Sequence, residues 1–415
     1  VGTANAVEAV FRIESARIIG GVARIVRDVG IAEEIAQDAL VAALEQWPES
    51  GVPDKPGAWL MATARNRAID LVRRRETYAR KLAEVGRTLE DVPPPEPPEA
   101  DGIDDDLLRL IFTACHPVLT TPSRIALTLR LVGGLTTQEI ARAFLAEEAA
   151  IAQRIVRAKR SLAKAGVPFE VPYGPERAAR LGSVLEVIYL IFNEGYSATA
   201  GDDWLRPALC EDALRLGRVL SGLMPGEPEA HGLVALLEIQ ASRIAARTGP
   251  DGAPVLLADQ NRTRWNRLFI RRGYAALARA TAEGDVPGPY TLQAAIAACH
   301  ARAARYQDTD WRTIATLYAR LAEAAPSPVV ELNRAVAVSM AEGPQRALDL
   351  VDALRDEPAL AGYHLLPSVR GDLLARLGRT AEASAEFARA AALTRNERER
   401  ELLLGRTEER TEEPA

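Results

Sequence analysis

Arg65, Arg67, Arg73, Arg74, Arg75, Arg80 and Lys81 crowd the stretch from Ala62 to Lys81, where only Asp70 and Glu76 oppose them. Basic groups at that density, in a chain whose formal net charge is −6, make a local surface suited to phosphate oxygens. A solvated helix face would hold the same residues, so the neighbouring side chains have to decide. Asn66 lies among them and is the one best suited to reading a base edge. Arg73, Arg74 and Arg75 suit phosphate contacts, and Asp70 suits orienting an adjacent arginine. A second set, Gln153, Arg154, Arg157, Arg160 and Lys164, pairs side chains that grip base edges bidentately with others that serve phosphates. Catalytic chemistry has no comparable constellation. The chain shows no Gly-rich phosphate loop, HExxH or GxSxG, and His231, His300 and His364 are scattered without neighbouring partners. Cys115, Cys210 and Cys299 are odd in number and widely spaced, which implies neither a disulfide framework nor a zinc site. The expectation is therefore no enzyme, no catalytic residue, no metal and no cofactor.

Helices have to position both basic sets. Leu60, Met61, Ala64, Ala68 and Leu71 recur at three- and four-residue spacing, so residues 56–84 are predicted as a helix with one apolar stripe. Helices near 7–27 and 31–47 precede it. Further on, Thr136 and Glu139 stand at capping-box spacing and open a short helix ending at Phe144. A tight turn over 145–148 leads to a longer helix, 149–164, whose buried stripe is Ile151, Ile155, Ala158 and Leu162. Short helix, brief turn and basic second helix form a helix-turn-helix pattern, whose second helix enters the major groove.

The 415 residues allow two to four domains. Ala and Leu dominate, and alternating β-branched runs are scarce, so the fold class is all-α. Residues 86–106 hold five prolines and eight acids against one base, which reads as an extended linker. No charged-then-apolar leader opens the sequence and no apolar run approaches membrane-spanning length, so the expected location is the cytoplasm, without a membrane partner. From 169 to about 405 the chain reads as successive helix pairs. Gly371, Leu374, Gly378, Ala383, Phe387 and Ala390 stand at the spacing of a tetratricopeptide repeat, and Gly343 with Ala347 gives a weaker copy upstream. Packing alone would also call for such small and apolar positions. A disordered tail is expected over 406–415.

Three motifs together carry a family resemblance. Ala32-Glu33-Glu34-Ile35-Ala36-Gln37-Asp38-Ala39-Leu40 resembles the polymerase-docking segment of extracytoplasmic-function (group IV) sigma factors of the sigma-70 superfamily. Trp59-Leu60, Ala64-Arg65-Asn66 and Ala68-Ile69-Asp70, with Arg74 and Arg75, resemble that family's −10 signature. Gln138-Glu139-Ile140-Ala141 and Arg154, Arg157, Ala158 and Lys159 resemble its −35 reader, and all three fall in the family's order. Leu190 to Tyr196, followed by Trp204-Leu205-Arg206, resembles the subgroup with a long tetratricopeptide-like extension.

The resemblance implies a sigma region 2 domain over 1–85, a linker over 86–106, a region 4 domain over 107–168 and a helical-repeat domain over 169–405. It implies that Glu33, Glu34, Gln37, Asp38 and Leu40 contact core RNA polymerase, through its beta and beta-prime subunits. Trp59, Arg65, Asn66, Arg67, Arg73, Arg74 and Arg75 would face −10 DNA, and Thr137, Gln153, Arg154, Arg157 and Arg160 would face −35 DNA. Trp47, beside Pro48, would either stack on a flipped base or anchor the loop over 47–56. Two departures stand out: Leu145 replaces the turn glycine, and Ala149, Ala150 and Ala152 replace polar residues at the start of the recognition helix. The function implied is promoter recognition and transcription initiation, with the repeat domain regulating it in cis or through a protein partner. A one-component helix-turn-helix regulator with a ligand- or protein-binding repeat domain is the alternative.

Overall fold

A computed structural model describes residues 2–85, 103–144, 146–197, 205–249, 253–282, 284, 286–394 and 396–408. Asp28 Oδ1 accepts from the backbone N–H of Gly30 (2.7 Å) and Ile31 (3.0 Å). That cap breaks the chain between α1 (Gly2–Val26) and α2 (Val29–Ser50). Ala32, Ala36, Ala39, Ala42 and Ala43 are all buried along α2, and their small size lets α1 lie close. α3 (Pro56–Val85) packs on both, burying Leu60, Ala64 and Ala68, while Met61 and Leu71 stay half-buried.

α4 (Ile103–Ala114), α5 (Thr121–Leu131), α6 (Thr137–Ala143) and α7 (Glu148–Lys164) follow. The capping box forms as expected: Thr136 N donates to Glu139 Oε2 at 2.8 Å, and Glu139 N donates to Thr136 Oγ1 at 3.1 Å. Ile151, Ile155, Ala158 and Leu162 are the buried residues of α7. The end of the expected linker differs, because α4 already begins at Ile103. Acidic residues at a helix start are favoured by the helix dipole. Asp106, buried at 2%, also has two guanidinium partners, Arg24 Nε at 3.1 Å and Arg109 Nη1 at 2.7 Å. α1 and α4 meet closely here, for a Cβ on Gly20 would fall 2.9 Å from the Asp106 carbonyl oxygen. The remainder of the linker lies outside the described residues, as does Leu145.

Two compact units emerge, Val1–Ile188 and Tyr189–Ala415. Their division falls inside α8 (Gly174–Tyr196), beyond the expected boundary at 168. The reason is hydrogen bonding at the start of α8. Arg180 Nη2 donates to the Phe112 carbonyl at 3.0 Å and Ser183 Oγ to that of Cys115 at 2.7 Å, while Arg124 pairs with Glu186 at 3.2 Å.

The second unit continues with α9 (Pro207–Leu223), α10 (Pro228–Ala241), α11 (Arg267–Ala280), α12 (Pro289–Arg302), α13 (Trp311–Ala324) and α14 (Pro328–Glu342). α15 (Pro344–Asp352), α16 (Leu365–Arg376), α17 (Thr380–Leu393) and α18 (Glu397–Glu408) complete it. Residues 406–408, expected as tail, thus belong to a helix, and 409–415 lie outside the described residues. From α12 onward neighbouring helices pair in sequence order, whereas α10 packs on both α11 and α12. Gly371 of α16 shows why small residues matter there, since a Cβ would sit 2.9 Å from the ring of Phe387 on α17. Among the described residues all regular secondary structure is helical, and no helix is long and apolar enough to cross a membrane.

Candidate nucleic-acid and polymerase interface

α3 sorts its residues by face. Leu60, Ala64 and Ala68 are fully buried, which turns Asn66, Arg67, Asp70, Arg73, Arg74 and Arg75 outward, all exposed. Arg65 is half-buried, and with Asn66 it borders an open depression of about 700 Å³ whose other side is formed by Glu14 and Arg17 of α1. Trp59 is half-buried and meets Trp47 edge-on, ring centres 5.5 Å apart. Trp47 itself is 1% exposed and lies within α2, which runs past Pro48 to Ser50. It anchors the end of α2 and has no face open to a base.

α7 is similarly divided. Gln153, Arg157 and Arg160 are exposed, and Arg154 is half-buried. Arg157 lies one turn from Gln153, with its Nη2 donating to Oε1 at 3.4 Å, so the two side chains are presented together. Thr137 is half-buried at the first position of α6. The face of α7 that carries Gln153 and Arg157 has donors and acceptors in the pattern that reads base edges in a major groove.

The acidic segment of α2 is divided too. Glu34 and Asp38 are exposed, Gln37 and Leu40 are half-buried, and Arg67 Nη1 approaches Asp38 Oδ2 at 3.6 Å. Glu33 differs from its neighbours. It is only 4% exposed and receives Arg130 Nε of α5 at 2.6 Å and Lys159 Nζ of α7 at 2.5 Å. Gln37 Nε2 adds a hydrogen bond at 3.0 Å. Two cations are what a buried carboxylate requires to offset its lost hydration. The pair ties α2 to the helix-turn-helix, so the two basic surfaces belong to one compact unit in this state. Sequence reasoning placed Glu33 among surface contacts and did not single out Arg130. The available signal was weak: Glu33 directly follows buried Ala32, and Lys159 directly follows buried Ala158.

Both basic helices fall within segments that match known families. Residues 11–78 match the model of sigma-70 region 2, residues 109–162 match sigma-70 region 4, and residues 180–281 match a family of unknown function (DUF6596). An uncharacterized protein, R00370, of Rhizobium meliloti (strain 1021) is 46% identical over 96% of this chain and 94% of its own length. The ECF RNA polymerase sigma factor SigK of Mycobacterium tuberculosis (strain ATCC 25177 / H37Ra) is 34% identical over 35% of this chain and 78% of its own. SigK of Mycobacterium sp. (strain KMS) is 29% identical over 36% of this chain and 78% of its own. No solved structure matches. With regions 2 and 4 both matched in order, and their basic helices exposed on one unit, the chain belongs to the sigma-70 family of RNA polymerase sigma factors.

Proposed function

We propose that this chain is an alternative sigma factor of the extracytoplasmic-function, group IV kind, working in the cytoplasm. On this reading it fastens to the beta and beta-prime subunits of core RNA polymerase through Glu34, Gln37, Asp38 and Leu40 of α2. Asn66 reads a −10 base from the depression beside α3, while Arg67, Arg73, Arg74 and Arg75 hold phosphates. Gln153 and Arg157 read the −35 element, with Arg154 and Arg160 on the backbone. The observation that carries the reading is the outward presentation of Gln153 with Arg157 on α7 and of Asn66 with its arginines on α3, each backed by a buried stripe.

Glu33 adds a conformational requirement. Elements centred near −35 and −10 lie about 25 base pairs apart, roughly 85 Å along straight B-form DNA. A compact unit of this size is only about 40 Å across. The closed state therefore cannot place both readers, and engagement has to separate α2 from α7. That separation breaks the Glu33 contacts with Arg130 and Lys159. The stretch left between α3 and α4, 86–102, would span roughly 50 Å if extended at about 3.1 Å per residue, and it adds that reach to the dimensions of the two readers. The C-terminal unit, read as a tetratricopeptide-like scaffold, regulates this opening in cis; the paired packing of Gly371 against Phe387 supports the scaffold reading.

Co-elution with core enzyme tests the docking face. Glu34→Lys combined with Leu40→Ala should abolish the holoenzyme peak while far-ultraviolet circular dichroism stays that of the parent. Retained co-elution would overturn the assignment.

A further inference from the structure

Five helices of the C-terminal unit converge on a cavity of about 580 Å³. The end of α8 supplies Tyr189, Phe192 and Tyr196, and α13 supplies Tyr318. Ile296 and Leu321 complete the apolar wall. Three of the chain's nine tyrosines line this one space, an enrichment that a repeat scaffold packing on Ala and Leu does not require. The size falls within the range of about 300–1,000 Å³ typical of small-molecule sites.

The polar atoms are the more telling feature. Gln240 Oε1, Arg243 Nε and His300 Nδ1 are all shielded from solvent and have no hydrogen-bond partner in the protein. All three residues line the cavity. Buried polar groups are nearly always satisfied, and several unsatisfied ones around one cavity point to something that binds there. Arg243 is the only charged residue of the lining, which contains no Asp or Glu. It rests against aromatic faces instead, 5.5 Å from the Trp265 ring centre and 5.9 Å from that of Tyr196. His300 adds no charge at neutral pH: burial, then Arg243 and Arg262, push its pKa down to about 4. The ring therefore serves as a neutral donor or acceptor.

We infer that this cavity binds a small aromatic carboxylate, its carboxyl group on Arg243 and its ring between the tyrosines and Phe192. A guanidinium matches a planar carboxylate bidentately, and one cation balances one negative charge. Gln240 and His300 supply the remaining hydrogen bonds, and the aromatic walls supply stacking surface. The site gives the C-terminal unit a chemical input. Only the step from binding to promoter control rests on the sigma-factor reading above; binding itself is measured without polymerase or DNA.

Titration calorimetry on the full chain tests the site with benzoate, salicylate and phenylacetate, each against its neutral carboxamide. The carboxylates should bind saturably and more tightly than the amides. Arg243→Gln should weaken the carboxylates by about 10- to 100-fold, the scale of one charge-assisted hydrogen bond, and leave the amides within about threefold. Arg243→Lys retains the charge and should retain carboxylate preference, which guards against a folding defect. Ala325→Phe, filling the cavity from the α13–α14 turn, should abolish carboxylate and amide binding together. Absence of saturable binding by all three carboxylates, or equal binding by parent and Arg243→Gln, overturns the inference.

Discussion

Glu33→Gln is the sharpest perturbation available, because the two roles open to Glu33 predict opposite signs. The Glu33 side chain is 5% exposed, whereas those of Arg130 and Lys159 keep 24% and 20% of their surface. Breaking a fully buried ion pair costs about 3–5 kcal/mol. Two cations that can partly rehydrate reduce this to about 2–3 kcal/mol, between buried and surface pairs. The loss falls on the closed state alone, so the closed-to-open ratio should drop roughly 30- to 150-fold. Dyes at Glu49→Cys on α2 and Lys164→Cys on α7, both exposed positions, report the separation by energy transfer; the native cysteines are all buried. Glu33→Gln should shift the population to longer distances and tighten apparent binding to core enzyme, since less of the chain is held in the incompetent form. Lys159→Gln, outside the docking segment, should do the same. An unchanged distance distribution together with weaker core binding would refute the latch and leave Glu33 as a simple docking residue.

Readers and positioners should separate in the same way on DNA. Asn66→Ala should weaken promoters with one particular −10 base, while Arg74→Ala should weaken all promoters alike and flatten the salt slope by about one unit. Gln153→Ala and Arg157→Ala should each cost about 1–3 kcal/mol of discrimination at the −35 element, read from a promoter-mutant series. Truncation after Ile188 keeps Arg180 and Ser183 on α4 and its following turn, so the shortened chain should fold, and its transcription with core enzyme alone should differ strongly from that of the full chain. Equal activity would remove control in cis. For pH, the His300 pKa is depressed to about 4 in the folded state, so the unfolded chain takes up a proton first as pH falls. Stability of the C-terminal unit should be fully present above pH about 6.5 and fall by about 3 kcal/mol toward pH 4, and His300→Gln should flatten that slope in denaturant titrations.

Local features were legible from the residues themselves. Thr136 and Glu139 are three apart, and their capping box is observed. The stripe Ile151, Ile155, Ala158 and Leu162 needs only helical periodicity to be found, and all four are buried. Features that depend on distant partners were not legible. Glu33 meets Arg130 and Lys159 across some hundred residues, and nothing in the spacing of any one helix selects those partners. Asp106 looked like part of a solvated acidic run until Arg24 supplied its counter-charge. Trp47 beside Pro48 suggested a loop, but α2 continues through the proline to Ser50. The cavity around Arg243 draws on helices spread from 189 to 333, each of which alone shows ordinary core positions.

Permanganate footprinting of promoter DNA tests the central claim most directly, since it reports unpaired thymines. Purified full-length chain with core RNA polymerase should make thymines of the −10 region reactive, and neither component alone should do so. Asn66→Ala should lower that reactivity without removing the chain from the holoenzyme. A chain that protects promoter DNA by itself, opens no bases and fails to co-elute with core enzyme would contradict the sigma-factor account and leave a one-component regulator in its place.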